Sequence, residues 1–263
     1  SAAGNNITFS GTLNSATASP NQEKLTLNAG TAGDITFTGA VGGTQRLGDV
    51  TITNAHNVTV SNTFASASLL QSAGTGTTLT SAGNLNTDNS QTGNGIQLTT
   101  NNITVGAGGF TTTNNGIVTL TNSGTLNVNG QINADGAVLQ NGAGITQLSA
   151  DIVTSQDLVR FTQGVVLVGG NRLIDTASGP SAVGTIQFDS TVNGSGFRLT
   201  LAAPTATGDI IFNGAASNLS GVVVNSGRNM TIAPAGSITT TNSGTGIDVT
   251  IGGTLTHSGT MSN

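Results

Sequence analysis

Residues Leu25 to Ala40 read "LTLNAGTAGDITFTGA", and this stretch contains two short runs in which apolar and polar residues alternate. In Leu25 to Leu27 and in Ile35 to Phe37, alternate side chains fall on one face, as in a β-strand that buries one side only. The residues between the two runs include Gly, Asn and Asp, which favour turns. The stretch therefore predicts two very short strands joined by a turn.

The same stretch returns near the end of the chain as "LTLAAPTATGDIIFNGA", Leu199 to Ala215, with one extra residue. The sequences on both sides also match: Asn6 to Asn14 with Thr185 to Asn193, and Leu47 to Val60 with Leu219 to Ile232. Composition stays level from end to end, so no linker is indicated. We predict a single continuous repeat structure over residues 1–263, with one long unit at about 6–180 and the start of a second at about 185–263.

Similar runs of three to five residues recur along the whole chain, among them Ile7 to Phe9, Val58 to Val60, Ile145 to Leu148, Ile186 to Phe188 and Met230 to Ile232. Antiparallel sandwiches or barrels and parallel β-solenoids both accept such a pattern. The runs are shorter than typical sandwich strands. An immunoglobulin-type sandwich would also show a core Trp and a corner Tyr, and the chain has neither. The pattern favours the solenoid.

Composition points the same way, with 45 Thr, 39 Gly and 29 Asn among 263 residues and only 6% charged residues. A single Glu and a single Lys argue against a helical protein, and 35% hydrophobic residues with so little charge argue against disorder. With roughly 20 residues in each coil and about 4.8 Å between coils, we expect an all-β, parallel β-helix of about 12 coils that forms an elongated rod.

The charge pattern limits the partners. The formal net charge is −5, and the six basic residues are spread singly, so we expect no binding to nucleic acid and no attraction to anionic lipid. No apolar run approaches the length of a membrane span, so we expect no membrane insertion. The lack of Cys fits folding outside the cell, although only weakly.

Two further stretches carry a resemblance to a known family: "GDITFTGAVGG", Gly33 to Gly43, and "GTLNVNGQINADGAVLQNGAG", Gly124 to Gly144. They resemble the repeat regions of large secreted bacterial surface proteins, the filamentous-haemagglutinin-like and autotransporter-like adhesins. The resemblance covers the whole chain and lies in composition and periodicity. It implies a right-handed parallel β-helix and a role in adhesion, biofilm or fibre formation. The Asn-Pro motifs of that family's secretion domain are missing, so we expect a repeat from the middle of a longer rod.

Parallel β-helices also include polysaccharide-degrading enzymes, which need clustered carboxylates. The acids of this chain are isolated in sequence, and Asp189 and Asp209 are not expected to stack, since one follows its strand and the other precedes its own. Asp151 and Asp157, with Arg160 nearby, are the best candidates for a functional site, although solvated turn carboxylates and a surface ion pair are the favoured explanation. A carbohydrate-acting β-helix enzyme or a glycan-binding spike therefore remains an alternative function.

Other chemistry has weaker support. His56 and His257 stand alone, with no acidic neighbour at a metal-ligand spacing. An ice-binding solenoid would display Thr-x-Thr triplets once per coil, and the spacing of the triplets here is irregular: Thr36 to Thr38, Thr51 to Thr53, Thr78 to Thr80, Thr119 to Thr121 and Thr254 to Thr256. We therefore expect no catalytic, cofactor-binding or metal-binding residues. The favoured function is a non-enzymatic repeat of an extracellular adhesin or surface fibre, with end-to-end self-association and surface glycans as partners.

Overall fold

The computed structural model describes residues 4–16, 23–80, 83–91, 94–179, 183–241 and 245–263. Over these residues the chain contains strands and turns but no helix, and the strands pair in parallel as a β-solenoid of about ten turns. Contacts divide the chain into two compact units, unit 1 (Ser1–Asp135) and unit 2 (Gly136–Asn263). The predicted all-β, parallel β-helical fold is confirmed.

Unit 1 contains fourteen strands within its described residues. They are β1 (Ile7–Phe9), β2 (Leu25–Asn28), β3 (Ile35–Phe37), β4 (Leu47–Asn54), β5 (Val58–Val60), β6 (Phe64–Gln71), β7 (Thr77–Thr80), β8 (Leu85–Thr87), β9 (Gly95–Thr100), β10 (Asn102–Val105), β11 (Phe110–Thr112), β12 (Ile117–Asn122), β13 (Leu126–Val128) and β14 (Ile132–Ala134).

Three parallel sheets enclose the interior of unit 1. The first sheet has the order β1-β3-β5-β7-β10-β13, and the second has the order β2-β4-β6-β9-β12. The third sheet runs β6-β8-β11-β14. β6 belongs to two sheets because its first residues pair with β8 and its last residues pair with β9.

Unit 2 contains seventeen strands within its described residues. They are β15 (Val138–Gln140), β16 (Thr146–Leu148), β17 (Ile152–Thr154), β18 (Val159–Phe161), β19 (Val165–Leu167), β20 (Arg172–Asp175), β21 (Ile186–Phe188), β22 (Val192–Asn193), β23 (Arg198–Ala202), β24 (Ile210–Phe212), β25 (Ala215–Leu219), β26 (Gly221–Ser226), β27 (Met230–Ile232), β28 (Ser237–Thr240), β29 (Gly246–Val249), β30 (Leu255–His257) and β31 (Thr260–Ser262).

Unit 2 repeats the arrangement with three parallel sheets of its own. The first has the order β16-β19-β22-β25-β28-β31, and the second has the order β15-β18-β21-β24-β27-β30. The third runs β17-β20-β23-β26-β29. Each turn of unit 2 therefore contributes short strands to these sheets.

The length of a turn varies more than the sequence indicates. Among the described pairings, the step from a residue to its partner one turn later ranges from 19 positions, for Thr146 and Val165, to 28 positions, for Ile7 and Ile35. The extra residues lie in the loops between strands. Because many turns exceed 20 residues, the chain makes about ten turns rather than the predicted 12 or so.

The interior is built from the alternate residues of each short strand. Most three-residue strands bury their first and last side chains and leave the middle one at the surface, as Ile35, Thr36 and Phe37 do in β3. Aromatic rings add continuous stacks, because Phe188 lies between Phe161 and Phe212 with ring centroids 5.6 and 5.0 Å away. Burial of such rings supplies much of the hydrophobic stabilisation.

Threonine has a role that the composition does not indicate. Thr is expected at outward strand positions, yet nine Thr residues in the described part of the chain are buried, including Thr154 at the end of β17 and Thr176 just after β20. The Thr154 hydroxyl donates to the Asp157 carbonyl at 2.8 Å, and the Thr176 hydroxyl donates to the Gly184 carbonyl at 2.6 Å. These buried hydroxyls satisfy backbone groups where the chain turns a corner.

The two copies of the sequence repeat have the same strand pairing. In unit 1, Leu25 pairs with Val50 and Ile35 pairs with Val58. At the matching positions of unit 2, β23 pairs with β26 and β24 pairs with β27 in the same way. Both copies even contain a register irregularity at the same place, after Leu27 in β2 and after Leu201 in β23. The repeat therefore specifies register as well as strand positions.

Candidate functional site

The Gly-Asp step of the repeat forms a polar corner in unit 1. Asp34 precedes β3, and its Oδ1 accepts hydrogen bonds from the Asn57 backbone N–H at 3.0 Å and from Asn57 Nδ2 at 2.9 Å. His56 Nδ1 lies 3.2 Å from the same oxygen. Asn57 and His56 come from the next turn, so this carboxylate holds two successive turns together.

Unit 2 builds the same corner with an arginine in place of the histidine. Asp209 accepts from Arg228 Nε at 2.8 Å and Nη2 at 2.5 Å, and from Asn229 Nδ2 at 3.1 Å. The hydrogen bond from Arg228 is the largest cause that lowers the pKa of Asp209 below its ordinary value, while partial burial acts in the opposite direction. The same contact raises the pKa of the Arg228 guanidinium. A two-pronged arginine contact is geometrically more specific than a single bond.

Asn side-chain oxygens at these corners form further hydrogen bonds between successive turns. Asn6 Oδ1 accepts from the Asp34 N–H, and Asn57 Oδ1 accepts from the Thr77 N–H, both at 2.9 Å. In unit 2, Asn229 Oδ1 accepts from the Thr254 N–H, also at 2.9 Å. Each of these oxygens therefore accepts a backbone donor from the following turn, so the corner residues have a stacking role.

His56 has no acidic neighbour at a metal-ligand spacing in the sequence, but it has one in space. Asp34, 22 positions earlier in sequence, lies beside it because one turn of the solenoid brings the two corners together. His257 lies in exposed β30. Among the described residues, no group of three His, Cys, Asp or Glu side chains is arranged to hold a metal ion.

The acidic residues considered for catalysis lie in different surroundings. Asp157 sits in the corner with buried Thr154, to whose Oγ1 its backbone N–H donates at 3.2 Å. Arg160 is paired with Asp189, with Arg160 Nε donating to Asp189 Oδ2 at 2.7 Å. Asp151 accepts from the Leu173 N–H at 2.8 Å. The hydrogen bonds of Asp151, of the Asp157 backbone and of Arg160 therefore go to three different partners.

Asp189 is a corner residue comparable to Asp209. Partial burial raises its pKa, but hydrogen bonds from Gln187, Arg160 and Asn213 outweigh that effect, so the pKa lies below its ordinary value. The Asn213 contact, at 2.9 Å, again links one turn to the next. Asp189 and Asp209 have separate sets of partners, as the sequence indicates.

A shallow groove crosses the outer surface of the third sheet of unit 2. Its volume is about 290 Å³, and it is lined by Asp151, Asn171, Arg172, Leu173, Arg198, Thr200 and Asn225. Arg172 and Arg198 bring two positive charges to the groove, and Asp151 brings one negative charge. The sequence did not reveal this grouping, because its members come from four strands, spaced by irregular turn lengths.

The threonine triplets do not share one outward face. Thr78 and Thr80 of β7 point inward, with exposures of 2% and 1%. Thr51 and Thr119 lie on the outer side of the second sheet of unit 1, whereas Thr36 lies on the first. The regular array that an ice-binding solenoid needs is therefore not formed by these triplets.

Within the described residues, no helix is long and apolar enough to cross a membrane.

Comparisons with known proteins place no further constraint on the site. The chain matches no family model, no curated protein and no solved structure.

Proposed function

We propose that this chain is a non-enzymatic structural repeat of an extracellular bacterial adhesin or of a self-assembling fibre at the cell surface. The observation that carries the proposal is the preserved register of the two repeat copies, in which both the strand pairs and the corner carboxylate recur. A repeat that keeps its stacking contacts and varies its outer surface is suited to extending a structure by adding turns.

The physical basis is nearest-neighbour stacking. Within each unit, parallel strands hydrogen-bond each turn to the next, and the interior side chains of a turn pack on those of the turns before and after. Removing one turn would expose apolar side chains and leave backbone groups unpaired. Neighbouring turns therefore stabilise one another, as in other repeat proteins.

Self-association can use the edge of the last turn. β29, β30 and β31 each pair on one side only among the described strands, and Leu255 in β30 is 39% exposed. A further turn, from the same polypeptide or from a second molecule, can pair with this edge. The scarcity of charge on these strands, where Asp248 is the single charged residue, favours such stacking.

Enzymatic action on carbohydrates has less support. Carboxylate-based glycoside hydrolysis needs two acids on either side of the scissile bond, whereas the Asp189 and Asp209 carboxylates are each held by separate structural hydrogen bonds. Turnover assays with acidic polysaccharides test this point directly. The proposed structural role predicts no release of reducing ends, and measurable turnover would contradict it.

The self-association step can be tested at one backbone donor. On either side of β30, the Thr254 carbonyl accepts from the Met230 N–H and the Ser258 N–H donates to the Ile232 carbonyl. Because donors alternate between the two edges of a strand, the His257 N–H points to the open edge. His257→Pro removes that donor without removing a bond to β27, and His257→Ala is the matched control.

We expect rods or oligomers in electron micrographs and in sedimentation for the unmodified chain and for His257→Ala, and monomers for His257→Pro. If the unmodified chain stays monomeric at high concentration, the self-assembly proposal fails. If all three proteins assemble equally, this edge is not the contact.

A further inference from the structure

We propose that the groove on the third sheet of unit 2 binds the carboxylate groups of an acidic polysaccharide, with Arg198 as the principal contact. This inference goes beyond the structural role and does not depend on it. It rests on the length of the groove, on the unpaired state of Arg198, and on the hydroxyl and amide groups around it.

The groove suits an elongated ligand. Its lining comes from the β17 end at Asp151, from β20 at Arg172, from β23 at Arg198 and from β26 at Asn225. These are four successive strands of one sheet. At about 4.8 Å between neighbouring strands, the groove extends over about 14 Å. A chain-like ligand lying across the strands fits this surface better than a compact one.

Arg198 differs from the other Lys and Arg side chains of the described residues in its hydrogen-bonding partners. Lys24, Arg46, Arg160 and Arg228 each pair with a carboxylate. Arg172 donates to three backbone carbonyls, those of Leu148, Val168 and Asn171.

Arg198 has no carboxylate within ion-pair distance among the described residues, and its Nε is buried without a hydrogen-bond partner there. Placing a guanidinium in a partly buried position without a partner is unfavourable. A ligand carboxylate can accept two parallel hydrogen bonds from the guanidinium, and the terminal nitrogens would donate them because Nε itself is buried.

The surrounding groups suit a saccharide. Thr200 lies on the outer side of β23, next to Arg198, and Asn225 lies on the neighbouring strand. Hydroxyl and amide groups both donate and accept hydrogen bonds, which matches the hydroxyls of a sugar. Asp151 lies at the other end of the groove, with Oδ1 held by the Leu173 N–H. An acceptor there suits a neutral, hydroxyl-bearing part of the ligand.

The charge balance disfavours a nucleic acid. Two arginines and one aspartate give the groove a local charge of only +1, and Arg172 already uses its donors on the backbone. Binding of a nucleic acid depends on several phosphate contacts. An acidic polysaccharide carries hydroxyl groups between its carboxylates, so one carboxylate can contact Arg198 while the neighbouring hydroxyls contact Thr200 and Asn225.

The test measures binding of fluorescently labelled oligogalacturonate by anisotropy, using the whole chain. The key variant is Arg198→Gln, and Arg160→Gln is its matched control because it also removes one arginine charge from the same unit. Arg198→Lys keeps the charge and removes the two-pronged contact. Circular dichroism establishes that each variant folds like the unmodified chain.

We expect Arg198→Gln to weaken binding about tenfold or more, Arg198→Lys to weaken it less, and Arg160→Gln to leave it nearly unchanged. The carboxyl-reduced oligomer should bind poorly. The proposal is overturned if the unmodified chain does not bind, if Arg160→Gln and Arg198→Gln lose affinity equally, or if carboxyl-reduced or sulfated oligomers bind as well as oligogalacturonate. Loss of glycan binding with rods still present would leave the structural role intact.

Discussion

The two repeat copies, Leu25 to Val60 in unit 1 and Leu199 to Ile232 in unit 2, fold in the same way with different outer surfaces. The inward positions stay apolar: Ile35 and Phe37 in the first copy match Ile210 and Phe212 in the second, and all four are fully buried. The paired strands and the register irregularity are also the same. The interior pattern and the corners therefore determine the fold.

The differences fall mainly on the surface. Outward Thr36 of β3 corresponds to Ile211 of β24, and outward Thr51 of β4 corresponds to Val223 of β26. At the corner, the side chain beside the carboxylate changes from His56 to Arg228. Outward side chains therefore differ between the copies. The Gly-Asp corner and the two buried apolar residues of the strand that follows it are kept.

The largest expected effect is loss of the buried ring at the matched position of each copy. Phe37 contacts the rings of Phe9 and Phe64, at 5.1 and 5.4 Å between centroids, and Phe212 stacks on Phe188 at 5.0 Å. We expect Phe37→Ala and Phe212→Ala each to lower the free energy of unfolding by about 3–5 kcal/mol. Urea unfolding followed by circular dichroism measures both.

Phe→Leu at the same two positions is the control, because it keeps most of the apolar volume and should cost less than about 1.5 kcal/mol. If one Phe→Ala variant lowers the free energy of unfolding by less than about 1 kcal/mol and the other by the expected amount, the two copies are not equivalent in packing. Hydrogen exchange can localise the effect to one copy.

The glycine before each corner aspartate gives the second prediction. A Cβ atom on Gly33 would lie 2.3 Å from the Ala29 carbonyl oxygen, and one on Gly208 would lie 2.5 Å from the Gly184 carbonyl oxygen. Because backbone must move to make room, we expect Gly33→Ala and Gly208→Ala each to lower the free energy of unfolding by about 1–3 kcal/mol. Gly11→Ala is the matched control.

A Cβ atom on Gly11 would have no other atom within 4 Å, so alanine should be tolerated there within about 0.5 kcal/mol. If Gly11→Ala and Gly208→Ala have equal effects on thermal unfolding, the close approach at the corner is not what requires glycine.

The third prediction concerns the corner carboxylate of unit 2. Its pKa is lowered in the folded protein, so the charged form stabilises the fold at pH values above the ordinary 3.8, and this contribution is lost as the pH falls through the folded pKa. At neutral pH we expect Asp209→Asn to lower the free energy of unfolding by about 1 kcal/mol, since solvent screens the partly exposed pair. The difference from the unmodified chain should vanish in acid.

Asp248→Asn is the control, because Asp248 is exposed in β29 and forms no ion pair among the described residues. Arg228→Gln offers an independent measurement: carboxyl NMR should show the pKa of Asp209 rising towards its ordinary value, since the Arg228 hydrogen bond is the main cause of the lowering. An unchanged pKa would contradict the assignment.

Much of the fold follows from sequence, because strands with apolar side chains at alternate positions are visible directly. Ile7 to Phe9, Ile35 to Phe37 and Met230 to Ile232 match β1, β3 and β27. Strands that bury polar residues were missed. β7 has Thr78 and Thr80 inside, and its alignment with Val58 and Ile103 is invisible until the turn length is known.

Unknown turn lengths also hide the groove and the corners from sequence analysis, and one predicted strand starts at a different residue. The predicted run from Ile145 to Leu148 begins instead at Thr146, which is buried while Ile145 is 45% exposed. Turns of 19 to 28 positions bring together residues such as Asp34 and His56, or Asp151 and Arg198. Since the loop lengths set which residues stack, sequence spacing alone cannot predict these contacts.

The smallest expected effect tests whether the outer surface is free to vary. We expect Thr36→Ile and Thr51→Val, which convert outward residues of unit 1 to those of unit 2, to change the free energy of unfolding by less than about 0.5 kcal/mol. Neither hydroxyl has a hydrogen bond among the described contacts that the substitution would remove. The contrasting variant is Thr154→Val, which removes a buried hydroxyl bonded to the Asp157 carbonyl and should cost about 1–2 kcal/mol. Equal losses for Thr51→Val and Thr154→Val in urea unfolding would mean that outward and corner threonines are equally important, and the distinction between a fixed interior and a variable surface would fail.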